Sequence, residues 1–387
     1  MSQDSFTETT NQSWFSRLGD AAKGVMFGLA LFGVSFVVLF WNEGRAVKRH
    51  RALSEGAASV ITVPADRVNN DNAGKLICIS GTATTEETLT DPIFGVTAKA
   101  IHLKRQVEIY QWKEETKSST EKKLGGGTET VTTYTYEKTW ENGLTNSSGF
   151  KHPEGHQNPS SALCASSDWT ASNTHVGAFQ LSSDLVNQIS QYTPPQVAKT
   201  SATFPGQTVT IQPNNTGIYV GANPATPQIG DMRITFQEVL PLQVSVVARQ
   251  TGSSLESYTT KAGGSIALLS TGVHSAAEMF QAAESSNQTT TWLLRAVGFF
   301  LMFFGLNSFF KPLSVLADVL PILGTLVAAG TGFVSLLISA TLSLITIAIA
   351  WVVYRPLVGI SILVIALIFG ILTVTRLKRR KTQALPT

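Results

Sequence analysis

The 387-residue chain is 43% hydrophobic and only 14% charged, with a mean hydropathy of +0.12, and its apolar residues gather into four blocks. Residues 42–291 carry 19 of the 29 Lys and Arg and 22 of the 26 Asp and Glu, so the positive excess belongs to the flanking segments. These figures exclude an ordinary soluble enzyme, a disulfide-rich secreted scaffold, and a collagen-like or mainly disordered chain. They give a nucleic-acid-binding surface no electrostatic footing.

In chain order, Met1–Ser13 is polar and reads as a disordered end. Trp14, Phe15 and Leu18 beside Arg17 and Lys23 predict a short interfacial helix, so residues 1–23 form a cytosolic tail. Residues 24–41 are the first membrane span. The run is longer than a signal-peptide core of about 7–15 residues, and no small-x-small cleavage site follows it. Further spans are read at 292–310, 330–354 and 357–375, each long enough at about 1.5 Å per residue to cross a hydrocarbon core of roughly 30 Å. The stretch 311–329 contains Asp318 and Pro321 and reads as an interfacial or re-entrant connector. Arg355 and Pro356 leave room only for a tight turn between the last two spans.

Sidedness follows from charge. The basic tail 376–387 opens on Arg376, Lys378, Arg379, Arg380 and Lys381, which places it in the cytosol, and four spans bring the N-terminus to the same side. Trp41, Trp292, Trp351, Tyr354 and Arg355 then anchor the opposite interface. Arg45, Lys48, Arg49 and Arg51 run against the rule, following the first span on its outer side. Inside the spans, small residues recur at spacings that let helices approach: Gly24 with Gly28, Gly298 with Gly305, Ser339 with Ser343, and Ala366 with Gly370. Packing within one chain and packing between copies explain these spacings equally well.

Residues 42–291 are long enough for one compact domain, and their patterning is mostly β. Val107, Ile109 and Gln111 alternate with Glu108, Tyr110 and Trp112. Thr130 to Trp140 alternates again beyond Gly125-Gly126-Gly127, which predicts a long hairpin. Other strands are read at 75–80, 202–211, 232–236, 242–249 and 265–269, and helices at 45–60, 182–192 and 275–287. Ser275 and Glu278 form a capping-box pattern at the start of the last of these. The expected fold class is thus an α-helical membrane protein with four transmembrane helices and a β-rich α+β extracytoplasmic domain inserted between the first two.

Chemistry is sought and not found. Cys78 and Cys164 lie in the outer domain and are read as two buried free thiols, with a disulfide as the possible alternative. The sharpest metal candidate, His152-Pro153-Glu154-Gly155-His156, carries a proline and a glycine that oppose the helix such ligand pairs need, so a solvated loop is the better reading. No nucleophile elbow or phosphate-binding loop occurs, and no catalytic residue, cofactor site or metal site is assigned.

Several strings resemble the LUMA family, the transmembrane protein 43 family of nuclear-envelope and bacterial membrane proteins. They are Asn42-Glu43-Gly44-Arg45-Ala46, Asp91-Pro92 with Gly95-Val96, Leu103-Lys104-Arg105, Tyr110-Gln111-Trp112, Asn158-Pro159-Ser160, Gly230-Asp231 with Arg233, Ala248-Arg249-Gln250, and Tyr354-Arg355-Pro356-Leu357. The resemblance implies a self-associating integral membrane scaffold with both tails in the cytosol or nucleoplasm. Eukaryotic members are linked to the inner nuclear membrane, lamins, emerin and ion conduction. No lamin-binding segment is legible here, so a bacterial inner-membrane member with a periplasmic domain is the expectation, with the endoplasmic reticulum or inner nuclear membrane as the eukaryotic alternative. The expected partners are membrane lipids, further copies of the chain and other membrane proteins, and no nucleic acid. The competing readings are a channel subunit or regulator of ion transport, and a metal-dependent extracytoplasmic enzyme around His152 and His156.

Overall fold

A computed structural model describes residues 4–194, 209–211, 217–357, 359–361, 364 and 368. The chain divides into two compact units: residues 1–10, 52–119 and 130–283 form a β-rich unit, and residues 11–51, 120–129 and 284–387 a helical one. Six long strands are β1 (Asp4–Gln12), β2 (Leu76–Thr85), β3 (His102–Lys122), β4 (Thr128–Asn142), β5 (Met232–Val239) and β6 (Leu242–Thr251). Three long helices are α1 (Trp14–Ser59), α2 (Ala276–Ala317) and α3 (Pro321–Tyr354).

The first sheet runs β1, β4, β3, β5 and continues through Gly217–Val220 to Val209–Ile211. The alternation read at Val107–Trp112 holds, because Leu103, Val107, Ile109 and Gln111 are buried while Lys104, Gln106, Glu108 and Tyr110 are only partly so. β3 pairs antiparallel with β5 from His102 opposite Val239 to Ile109 opposite Met232, and the inward residues meet Phe94, Ile218, Ile234 and Phe236. The N-terminal segment is therefore a strand on β4 and not a disordered end. Its Phe6, alternating with polar neighbours, stacks on His152, which gives it an apolar anchor.

In the second sheet, β2 pairs with β6, from Leu76 opposite Arg249 to Ala83 opposite Leu242. β6, Ser254–Glu256, Phe179–Leu181, Thr174–Val176 and β2 each pair with the next, so the pairing closes on itself. Closure buries Ile77, Ile79, Val176, Phe179, Val244, Val246 and Leu255, and leaves the short strands Ile61–Thr62 and Leu268–Thr271 as edges beside the ring. The helix read at 182–192 shrinks to one α-helical turn, Ser183–Val186. Gln188 and Ile189 then bond three residues back, to Leu185 and Val186, while Leu185, Val186 and Ile189 fill the core. Of the strand read at 202–211, only Val209–Ile211 lies within the described residues.

Cys78 and Cys164 are unpaired. Each is buried in a different cluster, Cys78 with Leu53, Leu76 and Phe280 and Cys164 with Phe94, Val96 and Leu103, the arrangement of two buried free thiols and not of a bridge. Burial pushes both thiols above their ordinary range and keeps them protonated.

The capping box forms as read: Glu278 accepts from the Ser275 amide at 2.8 Å and the Glu278 amide donates to Ser275 Oγ at 3.3 Å. α2 continues to Ala317, and after three intervening residues Pro321 opens α3 at a position where its missing N–H has no helical partner to lose. The connector at 311–329 is therefore the end of one helix, a short turn and the start of the next. α1, α2 and α3 are each long and apolar enough to cross a membrane. The fourth span, read at 357–375, lies mostly outside the described residues, with Ala366 and Gly370 among those not described.

Candidate functional site: the polar junctions of the helical unit

Asn42-Glu43-Gly44-Arg45 sit on one turn of α1, so their side chains fan around the helix and reach two neighbours. Glu43, about 1% exposed, accepts from Arg295 Nε at 2.6 Å and Nη2 at 2.9 Å, and from the Trp351 indole at 2.7 Å. Its carboxylate thereby joins α1 to both α2 and α3. The guanidinium lies 4.7 Å from the Trp292 ring centroid and 5.7 Å from that of Trp351, so cation–π contact adds to the bidentate pair. Asn42 Nδ2 donates to the Thr291 carbonyl, Arg45 to Asn287 Oδ1 and Thr291 Oγ1, and Asn287 Nδ2 returns to the Ala46 carbonyl. A Cβ on Gly44 would lie 2.7 Å from the Tyr354 ring, so glycine there admits the end of α3.

A second junction lies at the other ends of the helices. Asp318, about 1% exposed, pairs with Arg17 at 2.5 Å and Lys122 at 2.6 Å. Trp14 Nε1 donates to the Val315 carbonyl, Gly125 N to the Val319 carbonyl and Arg17 to the Gly126 carbonyl. Gly126 has φ +80°, and any side chain there would strike the Trp14 ring. The tip of the β3–β4 hairpin thus belongs with the helical unit, whereas its sequence places it in the domain.

Small residues pack within the chain. A Cβ on Gly28 would fall 2.7 Å from the Gly305 carbonyl and one on Gly305 2.8 Å from the Phe32 amide, while Gly298 admits Leu39. Ser339 and Ser343 are buried, the latter donating to Met302 Sδ at 3.6 Å. Gly24 stands open, with nothing within 4 Å of a Cβ placed on it. Of the interface anchors, Trp41 and Trp292 are more than half exposed, Trp351 holds Glu43, and Arg355 caps the end of α3. Beyond it Gly359 lies against the Val352 backbone, as the tight turn at Arg355-Pro356 requires.

The strings that carry the family resemblance also meet inside the β-rich unit. Arg105 pairs with Asp91 at 2.6 Å, both buried, and donates from Nε and Nη2 to the Ala165 carbonyl; Asp91 also accepts from the Ile93 and Phe94 amides. Asn158 exchanges two bonds with the Trp112 backbone, and Gly230 and Asp231 exchange two with Tyr110. His156 is engaged by the His152 carbonyl and by Asp4 Oδ2 at 2.9 Å, between the rings of Tyr136 and Trp112. Among the described residues no group of three or more His, Cys, Asp or Glu is arranged to hold a metal ion. Tyr136 donates to Glu114 at 2.5 Å, and burial, aided by that carboxylate, pushes its phenol up to about 12. A cleft of about 440 Å³ beside Pro159 and Gly230 has Asp231 as its ionisable group, already held by Tyr219 and the Gln228 amide.

Sequence reasoning missed Glu43 and Asp318 as joints. The signal was there: one ionisable residue inside a span, Arg295, and one carboxylate at the first span's end.

The family model described as "Transmembrane protein 43" matches residues 109–356. Proteins named "Transmembrane protein 43" from Rattus norvegicus and Homo sapiens are each 34% identical over 388 residues, covering 97% of this chain and 96% of theirs. A "Transmembrane protein 43 homolog" from Drosophila melanogaster is 30% identical, covering 87% of this chain and 90% of its own. No solved structure matches the chain.

Proposed function

The chain belongs to the transmembrane protein 43 family, and from that premise we propose that it acts as a non-enzymatic, multi-pass membrane scaffold that self-associates and holds partner proteins through its β-rich unit. The observation that carries this reading is where the family strings lie. Asn42–Arg45, Asp91, Arg105, Trp112, Asn158, Gly230 and Tyr354 are engaged in joints that hold one segment of the chain to another. Ion-transporting spans keep ionisable groups able to exchange partners with a passing ion; Glu43 and Arg295 instead lock each other. Because Gly28, Gly298, Gly305, Ser339 and Ser343 face neighbouring helices of the same chain, self-association is assigned to other surfaces. Mass photometry of the solubilised protein over a concentration series tests it: a strict monomer throughout would refute self-association.

The same reading keeps the basic C-terminal tail in the cytosol and the β-rich unit opposite; it does not extend to the N-terminal segment, whose β1 belongs to that unit and not to the cytosolic tail read from the sequence. The membrane is a bacterial inner membrane or, in a eukaryotic cell, the endoplasmic reticulum and its inner nuclear continuation, a placement with which the animal relatives accord. Lys122 on Asp318 bears hardest on this sidedness, since it groups a polar hairpin tip with helix ends assigned to the cytosol. Impermeant thiol labelling of Lys123→Cys and Ser161→Cys settles it. Ser161→Cys labelled from outside the cytosol is the expected result and its labelling from the cytosol would overturn the assignment, while Lys123→Cys reports the side that the Asp318 junction occupies.

A further inference from the structure

Of the four cations that follow the first span, two turn toward α2: Arg45 bonds Asn287 and Thr291, and Arg49 faces Glu284. Lys48 and Arg51 do not. They continue the face of α1 that carries Val37, Phe40, Trp41 and Gly44, at spacings of three and four residues. The lower part of that face and α3 enclose an apolar groove of about 530 Å³, lined among others by Phe36, Phe40, Trp41, Leu342, Ile349 and Tyr354. The upper part meets its rim, because Arg51 Nη2 donates to the Tyr354 carbonyl at 2.9 Å and Arg355 follows directly. Among the described residues, Lys48, Arg51 and Arg355 have no carboxylate partner: Glu43 is taken by Arg295, and Glu55 by the Lys261 and Ala262 amides.

We propose that this face binds one anionic glycerophospholipid, its phosphate on Lys48, Arg51 and Arg355 and one acyl chain in the groove. The groove's length fits. From Leu342 to Tyr354 α3 rises about 18 Å, close to one leaflet's half of a hydrocarbon core of roughly 30 Å. Charge fits as well, since a cationic rim over a dry groove complements an amphiphile with a negative head and disfavours one whose head carries its own ammonium. The site accounts for cations that the orientation rule leaves unexplained, and it requires the helical unit to be in a membrane but not that the protein self-associates.

Native mass spectrometry of the full chain in detergent, titrated separately with phosphatidylglycerol and phosphatidylcholine, tests it. Wild type should retain one phosphatidylglycerol in preference to phosphatidylcholine. At roughly five-fold per cation, Lys48→Gln with Arg51→Gln should weaken that retention about twenty-five-fold. Ile345→Trp, which fills the groove and leaves every cation in place, should also abolish it, with circular dichroism confirming that both variants are folded. Equal retention of the two lipids, or phosphatidylglycerol retention untouched by either variant, overturns the proposal. Glycerol 3-phosphate binding as tightly as the lipid overturns the acyl half and leaves a bare anion site. A change in melting with Ile345→Trp but unchanged lipid retention means that the chain's own residues fill the groove.

Discussion

Removing the Glu43 carboxylate strands the Arg295 guanidinium among Trp292, Trp351 and the helix backbones. Breaking a buried pair from one side costs about 3–5 kcal/mol, because the remaining charge stays buried without compensation. Glu43→Ala should therefore destabilise by about that amount, and Arg295→Met similarly. The double replacement removes both charges and leaves only the Trp351 N–H without a partner, a loss of about 1–3 kcal/mol. The two changes should accordingly be far from additive, with a coupling of at least about 3 kcal/mol. That figure separates an ion pair from an ordinary hydrogen bond between spans, for which measured couplings average about 0.6 kcal/mol. Unfolding in mixed micelles, followed by tryptophan fluorescence, gives the four stabilities of the cycle. Additive effects, or single losses under about 1 kcal/mol, would mean that water reaches the pair as it does at a surface and would refute the reasoning.

Glycine tolerance gives a paired prediction. Gly305→Ala should cost about 1–3 kcal/mol, since the added methyl meets the Gly28 carbonyl and Phe32 amide, which cannot yield. Gly24→Ala, with open space around it, should be neutral or gain up to about 1 kcal/mol of helix propensity; melting temperatures of the two variants decide. The Tyr136 phenol, held up to about 12 from an ordinary 10.0, favours the folded state below 10.0, and that contribution is lost as pH rises toward 12, about 3 kcal/mol in all. Tyr136→Phe should remove a late component from the ultraviolet phenolate titration and flatten the alkaline fall in stability; an unchanged titration would refute the assignment. Cys78 and Cys164 should resist iodoacetamide in the folded protein and take two equivalents in denaturant without reductant, while none in denaturant would reveal a disulfide.

Much of the fold is periodic and so legible. The hairpin alternation, the capping box at Ser275 and Glu278, and three of the four spans need only local sequence. Non-local satisfaction is what escaped. The segment at Asp4–Gln12 is too polar to announce a strand, and becomes one because β4 offers an unpaired edge and His152 a ring for Phe6. The stretch around Asp318 reads as an interruption because a carboxylate opposes a span, until Arg17 and Lys122 neutralise it and the flanking residues revert to helix.

The same distinction governs the resemblance strings. Taken singly, Asp91-Pro92 and Leu103-Lys104-Arg105 are unremarkable dipeptides and tripeptides separated along the chain. Joined by a buried ion pair they become one object, because a charge without its partner cannot remain in that core. Glu43 and Arg295 repeat the logic across 252 residues. These joints are therefore mutually dependent pairs, and the loss of either member should be repaired more readily by changing its partner than by restoring packing nearby. Under the proposed scaffold reading such joints hold segments at fixed separations, and the residues that do so are legible only once both ends of each joint are known.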